Sequence, residues 1–177
     1  MIVIVGESAS GKTAVEKVLS NVYSYRRIVS YTTRPQRRHE QNGVDYHFIP
    51  EEEFERLLND NYFVEHSKYR DWHYGICEED CESGDIIVAN PHGLRQLKRI
   101  YPGSVKSFYI NTSEKKRLIR LLERGDDILE CFKRVISDQG VFQNMEEECD
   151  YIINCDDDPP EIIAGLIHRT YEFIDEG

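Results

Sequence analysis

The 177-residue sequence predicts an α/β fold in which a mostly parallel sheet is covered by helices on both faces. Two observations predict it. Short strand-like apolar runs alternate with stretches of helical period along the chain. The first run, Ile2-Val3-Ile4-Val5, also leads directly into a glycine-bounded loop and then a helical stretch. The length fits one compact domain with a sizeable core. Neither an internal repeat nor a low-complexity linker divides it.

In chain order, the opening strand is followed by a helix from Thr13 to Val22, whose apolar stripe is Val15, Val18, Leu19 and Val22. A second strand is predicted over Ile28 to Tyr31, and a third over Val44 to Ile49 after the punctuating Gly43. Pro50 to Leu58 reads as a short helix and Tyr62 to Ser67 as a strand. A short helix from Cys77 stops at Gly84, and Ile86-Ile87-Val88-Ala89 is a buried-type strand. Pro91 opens a helix that reaches Ile100. Val105 to Ile110 is strand-like, and Ser113 to Arg124 is a basic amphipathic helix capped by Thr112 or Ser113. Helix is expected from Asp126 to about Met145, with Glu146-Glu147-Glu148 as its solvated end. Tyr151-Ile152-Ile153 is the last strand, and Pro160 to Ile174 the last helix, behind the Asp156-Asp157-Asp158-Pro159 breaker.

Composition excludes several classes. Hydrophobic residues are 40% and charged residues 31%, the balance of a folded chain rather than a disordered one. Lys plus Arg number 22 against 33 Asp plus Glu, a net charge of −11. Such a chain is poorly suited to non-specific contact with nucleic acid or anionic membrane. No apolar run approaches the roughly 20 residues that span a bilayer. The apolar start has no basic segment before it and runs straight into the loop, so a cytoplasmic location is expected. The five cysteines (Cys77, Cys81, Cys131, Cys149, Cys155) form neither a C-x-x-C pair nor an even framework, and reduced thiols are expected.

The loop is Gly6-Glu7-Ser8-Ala9-Ser10-Gly11-Lys12-Thr13, the phosphate-binding pattern G-x-x-x-x-G-K-[ST]. Its glycines let the backbone curl so that N–H groups point at a polyphosphate. Lys12 adds a cation, the Thr13 hydroxyl can ligate Mg²⁺, and the following helix turns its positive end to the same anion. The pattern predicts binding of a nucleoside triphosphate.

Between Glu16 and Glu40 there is no carboxylate, yet Arg26, Arg27, Arg34, Arg37 and Arg38 fall there. A second phosphate site would explain this reversal, because guanidinium groups fork onto phosphate oxygens. On charge alone, a solvated loop facing acidic neighbours explains it equally.

The residues around this island carry a longer signature. Ser30-Tyr31-Thr32-Thr33-Arg34-Pro35-Gln36-Arg37, Glu40, and Asn42-Gly43-Val44-Asp45-Tyr46-His47-Phe48 closely resemble the guanylate kinase family. The resemblance continues through Glu53 and Phe54, Phe63-Val64-Glu65, Tyr74-Gly75, and Ile152-Ile153-Asn154 with Asp156-Asp157. It implies a three-layer P-loop NTPase fold with core segments 1–30, 77–117 and 144–177. It also implies an inserted subdomain for the nucleoside monophosphate over residues 31–76, and a helical lid over about 118–143. The implied reaction moves the ATP γ-phosphoryl group to GMP or dGMP with Mg²⁺.

Residue by residue, the resemblance implies that Gly6, Ser8, Ala9, Ser10, Gly11, Lys12, Thr13 and Asn154 hold ATP, with Thr13 also on the metal. Ser30, Arg34, Arg37, Tyr46 and Tyr74 hold the acceptor phosphate; Glu65, Ile76 and Asn90 face its base. Lys12, Arg34, Arg124 and Arg134 are the implied catalytic cations, and Arg120 is the weakest of the lid arginines. A carboxylate at Glu65 suits guanine, whose N1 and N2 carry N–H donors, and would repel N1 of adenine. Two positions depart from the family: Ile76 replaces a hydroxyl residue and Asn90 replaces an aspartate. They leave room for an acceptor such as ribose 1,5-bisphosphate. A non-catalytic binding module of the same fold is opposed by the intact phosphate loop. The six histidines show no metal or triad spacing.

Overall fold

The structure, a computed structural model, describes residues 1–125 and 127–175. The chain opens with β1 (Ile2–Val5) and α1 (Lys12–Tyr23). Short strands β2 (Tyr31–Thr32) and β3 (His47–Phe48) precede α2 (Glu51–Asn59) and a hairpin of β4 (Phe63–Tyr69) and β5 (Trp72–Cys77). Then follow α3 (Glu78–Ser83), β6 (Ile86–Val88), α4 (Pro91–Ile100), β7 (Lys106–Asn111) and α5 (Glu114–Glu123). The remaining elements are α6 (Ile128–Val141), α7 (Met145–Glu148), β8 (Tyr151–Asn154) and α8 (Pro160–Asp175).

The first sheet has the order β6-β1-β7-β8, and all its pairs are parallel. Every residue of β1 is fully buried, which is why that strand is continuously apolar instead of alternating. Ile2 and Ile4 pack against Val15 and Leu19 of α1 and Ile163, Ala164 and Ile167 of α8. Val3 and Val5 face the other layer, with Leu94 and Leu97 of α4, Phe142 and Met145. The three layers follow from these two apolar faces.

The second sheet departs from the expected parallel pattern. Its order is β3-β2-β5-β4; β2 and β3 run parallel, while β5 is antiparallel to both β2 and β4. β5 carries no sequence expectation, because Trp72 to Cys77 lacks clean alternation and contains Gly75. Cross-strand pairing with β4 makes it a strand. The strand expected over Ile28 to Tyr31 is instead a crossing between sheets. Arg27 bridges Ile86 of the first sheet, and regular pairing begins at Tyr31 in the second. The helix expected from 126 to 145 is α6 and α7, separated where Asn144 turns to φ 67; Asp126 lies outside the described residues. All five cysteines are buried thiols. Among the described residues, no helix is long and apolar enough to cross a membrane.

Candidate active site

The loop between β1 and α1 is shaped by two glycines for different reasons. At Gly6 a Cβ would lie 2.6 Å from Ser10 Oγ and 2.7 Å from Ile110 O, so only hydrogen fits. Gly11 sits at φ 107, which L side chains rarely adopt. The Lys12 ammonium folds back to donate to Gly6 O at 2.5 Å and Glu7 O at 2.7 Å, closing the loop into a ring. Burial, chiefly, lowers its pKa to about 8, with Arg117 and Arg37 adding to the shift and Asp138 and Glu7 opposing it. Arg120 steadies the loop from α5: its Nη1 donates to Ala9 O and Ser10 O, and its Nη2 to Asp156 O at 2.8 Å.

One cavity of about 340 Å³ joins this loop to the second sheet. Gly6, Ser8, Ala9, Gly11, Lys12 and Thr13 line it from the loop and the first turn of α1. Ser30, Arg34, Arg37, Tyr46, Tyr74 and Ile76 line it from the second sheet and the segments leading to it. Glu65 and Asn90 complete that wall, and Arg124 and Arg134 enter from the end of α5 and from α6. Two predicted residues stay out of the lining. Ser10 is 1% exposed and offers its Oγ to Lys12 at 3.4 Å. Asn154 lies at the end of β8 and accepts from Asn111 Nδ2.

The arginines of the sequence island separate into different roles. Arg26 pairs with Asp85, and Arg27 with the buried Glu16 at 2.7 Å. The Arg34 fork closes on both oxygens of Glu40, at 3.0 and 2.8 Å, and its guanidinium stands 5.3 Å from the Tyr46 ring centroid. Glu40 is thus a fixed counterion that sequence reasoning left without a role, although it belongs to the signature. Arg37 faces mostly like charge. Burial first, then the neighbouring Arg34, Arg134 and Arg124, brings its pKa down to about 10, with Glu40 opposing. Such crowding of cations in a partly dry cavity is the arrangement that a bound anion relieves.

The other wall is set by β4 and the start of α4. Glu65 is 3% exposed, and burial raises its pKa to about 7 against a side-chain hydrogen bond with Ser67. Its Oε1 is buried with no hydrogen-bond partner. Asn90 caps α4: its Oδ1 accepts from the Gly93 N–H at 2.9 Å, and its Nδ2 donates to Ser67 Oγ at 2.9 Å. The side chain expected to face the base thus also spends one acceptor site of its carbonyl on the helix start. Ile76 is 2% exposed and packs with Val3, Ile87 and Leu94, so it belongs to the core as well as to the wall. Sequence reasoning also missed Asp138, a fully buried acid behind the loop. Its signal was available, since Cys131, Val135 and Asp138 fall at buried-face helical spacing in α6.

A phosphate loop and a half-buried lysine, opening into an arginine-lined cavity bounded by a second sheet, define a P-loop phosphotransferase of three-layer α/β fold. Residues 1–166 match the family model described as guanylate kinase. The guanylate kinase of Nitrosococcus oceani is 30% identical over 164 residues, covering 89% of this chain and 81% of that protein. That of Neisseria gonorrhoeae is 32% identical over 173 residues, covering 94% and 84%. The crystal structure of guanylate kinase from Anaplasma phagocytophilum aligns with a TM-score of 0.74 at 25% identity, over 96% of this chain and 83% of that one. The chain belongs to the guanylate kinase family, the ATP-dependent nucleoside monophosphate kinases.

Proposed function

We propose that this chain transfers the γ-phosphoryl group of ATP to GMP or dGMP, giving ADP and GDP or dGDP, and that it does so in the cytoplasm. The observation that supports this most directly is the single cavity shared by the loop, the arginines and the unpartnered Glu65 oxygen. Residues 31–76 act as the acceptor subdomain and about 118–143 as the lid. Ser30, Arg34, Arg37, Tyr46 and Tyr74 are the donors for the acceptor phosphate, and Glu65 receives the guanine N–H groups. Asn154 borders the adenine.

The chemistry needs no general base. A phosphomonoester with a second pKa of about 6 is mostly dianionic at pH 7, so the nucleophile arrives deprotonated. The protein supplies alignment and charge neutralisation. Lys12 and the loop N–H groups hold the donor phosphates, Arg34 and Arg37 hold the acceptor, and Arg124 and Arg134 face the transferring group from the lid side. Thr13 offers a hard hydroxyl oxygen, and among the described residues no cluster of three or more metal-binding side chains competes with it. That suits Mg²⁺ ligated otherwise by phosphate and water, an ion that supplies charge neutralisation when bound.

A second reading, a changed acceptor such as ribose 1,5-bisphosphate, is favoured by the engaged carbonyl of Asn90 and the apolar Ile76. ADP release should be measured with GMP, dGMP, IMP, AMP and ribose 1,5-bisphosphate. Fast turnover restricted to GMP or dGMP is the expected result, and turnover with the sugar phosphate alone would replace this reading by the second. Lys12→Ala should lower turnover about 10²- to 10³-fold with the fold retained, the range for a lost transition-state donor.

A further inference from the structure

A carboxylate behind the phosphate loop receives the tip of the second sheet. Asp138, in α6, is 0% exposed. Its Oδ2 accepts from the Ser8 backbone N–H at 2.7 Å and from Arg117 Nη1 of α5 at 3.5 Å. Arg117 also faces Glu7 of the loop at 3.6 Å. These contacts fix the carboxylate to the loop and to α5 without help from the β4–β5 hairpin. The hairpin takes the other oxygen: Oδ1 accepts from Arg70 Nη2 at 2.9 Å and from the Tyr69 hydroxyl. Arg70 Nη2 also donates to Ser8 Oγ at 3.1 Å and to Arg134 O at 3.0 Å. One guanidinium thus touches the loop, α6, and the backbone of an arginine that lines the cavity.

Arginine does not suit this place in the backbone. Tyr69 pairs with Trp72, so Arg70 and Asp71 form a two-residue hairpin loop. Arg70 stands at φ 56, where such a loop favours glycine. The turn gains nothing from arginine, whereas its side chain makes every contact just described. Its Nε is buried without a hydrogen-bond partner, a cost that a pair built only for stability would avoid. The tip is also the far end of a lever. β5 ends at Cys77, and Trp72 lies roughly 17 Å of strand away from it at about 3.3 Å per residue. A rotation about that end moves the tip further than it moves nearer points, so a contact at the tip fixes the angle most sharply. We propose that Arg70 is a positioning residue, which docks on Asp138 and Ser8 and thereby sets the acceptor side against the phosphate loop and α6 at the separation that phosphoryl transfer requires. This rests on the reading of the loop as the ATP site and of residues 31–76 as the acceptor side. Reacting atoms must approach to about 3–3.5 Å, and a misplacement of about 1 Å costs about 10²-fold in rate.

Arg70→Gly removes the side chain and suits the φ of the turn, and Asp138 keeps Ser8, Arg117 and Tyr69, so the fold is retained. Arg70→Lys restores the charge without the fork. Transfer from ATP to GMP should be measured in a single turnover with the full chain in excess, which separates chemistry from product release. The expected rate is about 10²-fold lower in Arg70→Gly, with Tm not lowered, and about tenfold lower in Arg70→Lys. Fluorophores at Glu55→Cys of α2 and Lys133→Cys of α6, both exposed positions, report the separation of acceptor side and lid with ADP and GMP bound. That separation should be greater in Arg70→Gly than in the wild type, and Arg70→Lys should recover it. A transfer rate in Arg70→Gly within about threefold of wild type, or an unchanged separation, overturns the proposal. Absence of GMP phosphorylation by the wild type would instead overturn the functional reading, and the separations would still decide whether Arg70 docks the hairpin.

Discussion

Glu65 shows how a functional residue can oppose folding. Its carboxyl is buried, one oxygen has no partner, and its pKa rises to about 7 because burial disfavours the charge. A folded pKa above the unfolded value means that the group supports folding below about pH 4.5, and that this support is lost as the pH rises through about 7. The shift corresponds to about 3 kcal/mol of destabilisation at pH 8, taking about 1.36 kcal/mol per unit. Glu65→Gln should therefore stabilise the protein at pH 8 by up to about that amount and change little at pH 4. Urea denaturation at the two pH values checks this, and an equal effect at both would show that ionisation of Glu65 is not the cause. The same variant should lower kcat/KM for GMP at least 10²-fold, because guanine donors would meet an amide in place of a carboxylate. The residue itself was legible in the Phe63-Val64-Glu65 signature. Its unpartnered state was not, because that depends on how β4, β5 and the start of α4 close around it.

Elements were legible where local signals agree. The first strand, Pro91 at the start of α4 and the breaker before α8 stand where the sequence places them. The α1 stripe is only half right: Val15 and Leu19 are buried, but Val22 is exposed and the paired Glu16 takes a buried place instead. The β4–β5 hairpin was half legible, because β5 owes its existence to pairing and not to its own pattern. α4 carries a further lesson at Asn90, where the resemblance implies a residue facing the base and the local geometry adds a second role, since the same side chain lines the cavity and caps the helix. An N-cap side chain satisfies N–H groups that the first turn leaves without partners. Asn90→Ala should thus lower stability by about 1 kcal/mol, while Asn90→Asp, which keeps the capping oxygen, should stay within about 0.5 kcal/mol of wild type. Thermal unfolding of both variants tests the assignment; equal losses would mean that the Nδ2 contact to Ser67 matters more than the cap.

Across the whole molecule, the charge reversal in an acidic chain was visible from the sequence, but its division of labour was not. Arg26 and Arg27 serve structure, while Arg34 and Arg37 line the cavity. The contacts at Asp138 were equally hidden, since they join residues 130 and 69 positions apart. The cavity gathers guanidinium groups at the expense of the unliganded fold. Burial and three neighbouring arginines bring the pKa of Arg37 down to about 10, so it stays charged at neutral pH but holds that charge at a cost to the fold. A dianion reverses that penalty, and a ligand that binds only the folded state adds RT ln(1 + [L]/Kd) to stability. At a hundredfold excess over Kd this is about 2.7 kcal/mol, or roughly 5–10 °C in Tm for a chain of this size. GMP should therefore raise Tm by that amount in low salt. Arg37→Met should raise the Tm of the unliganded protein and shrink the increment that GMP produces. Differential scanning calorimetry of both proteins, with and without GMP, separates the two effects. A variant that is less stable without ligand would show that Arg37 is held by Glu40 as a structural ion pair, and not kept charged for a substrate.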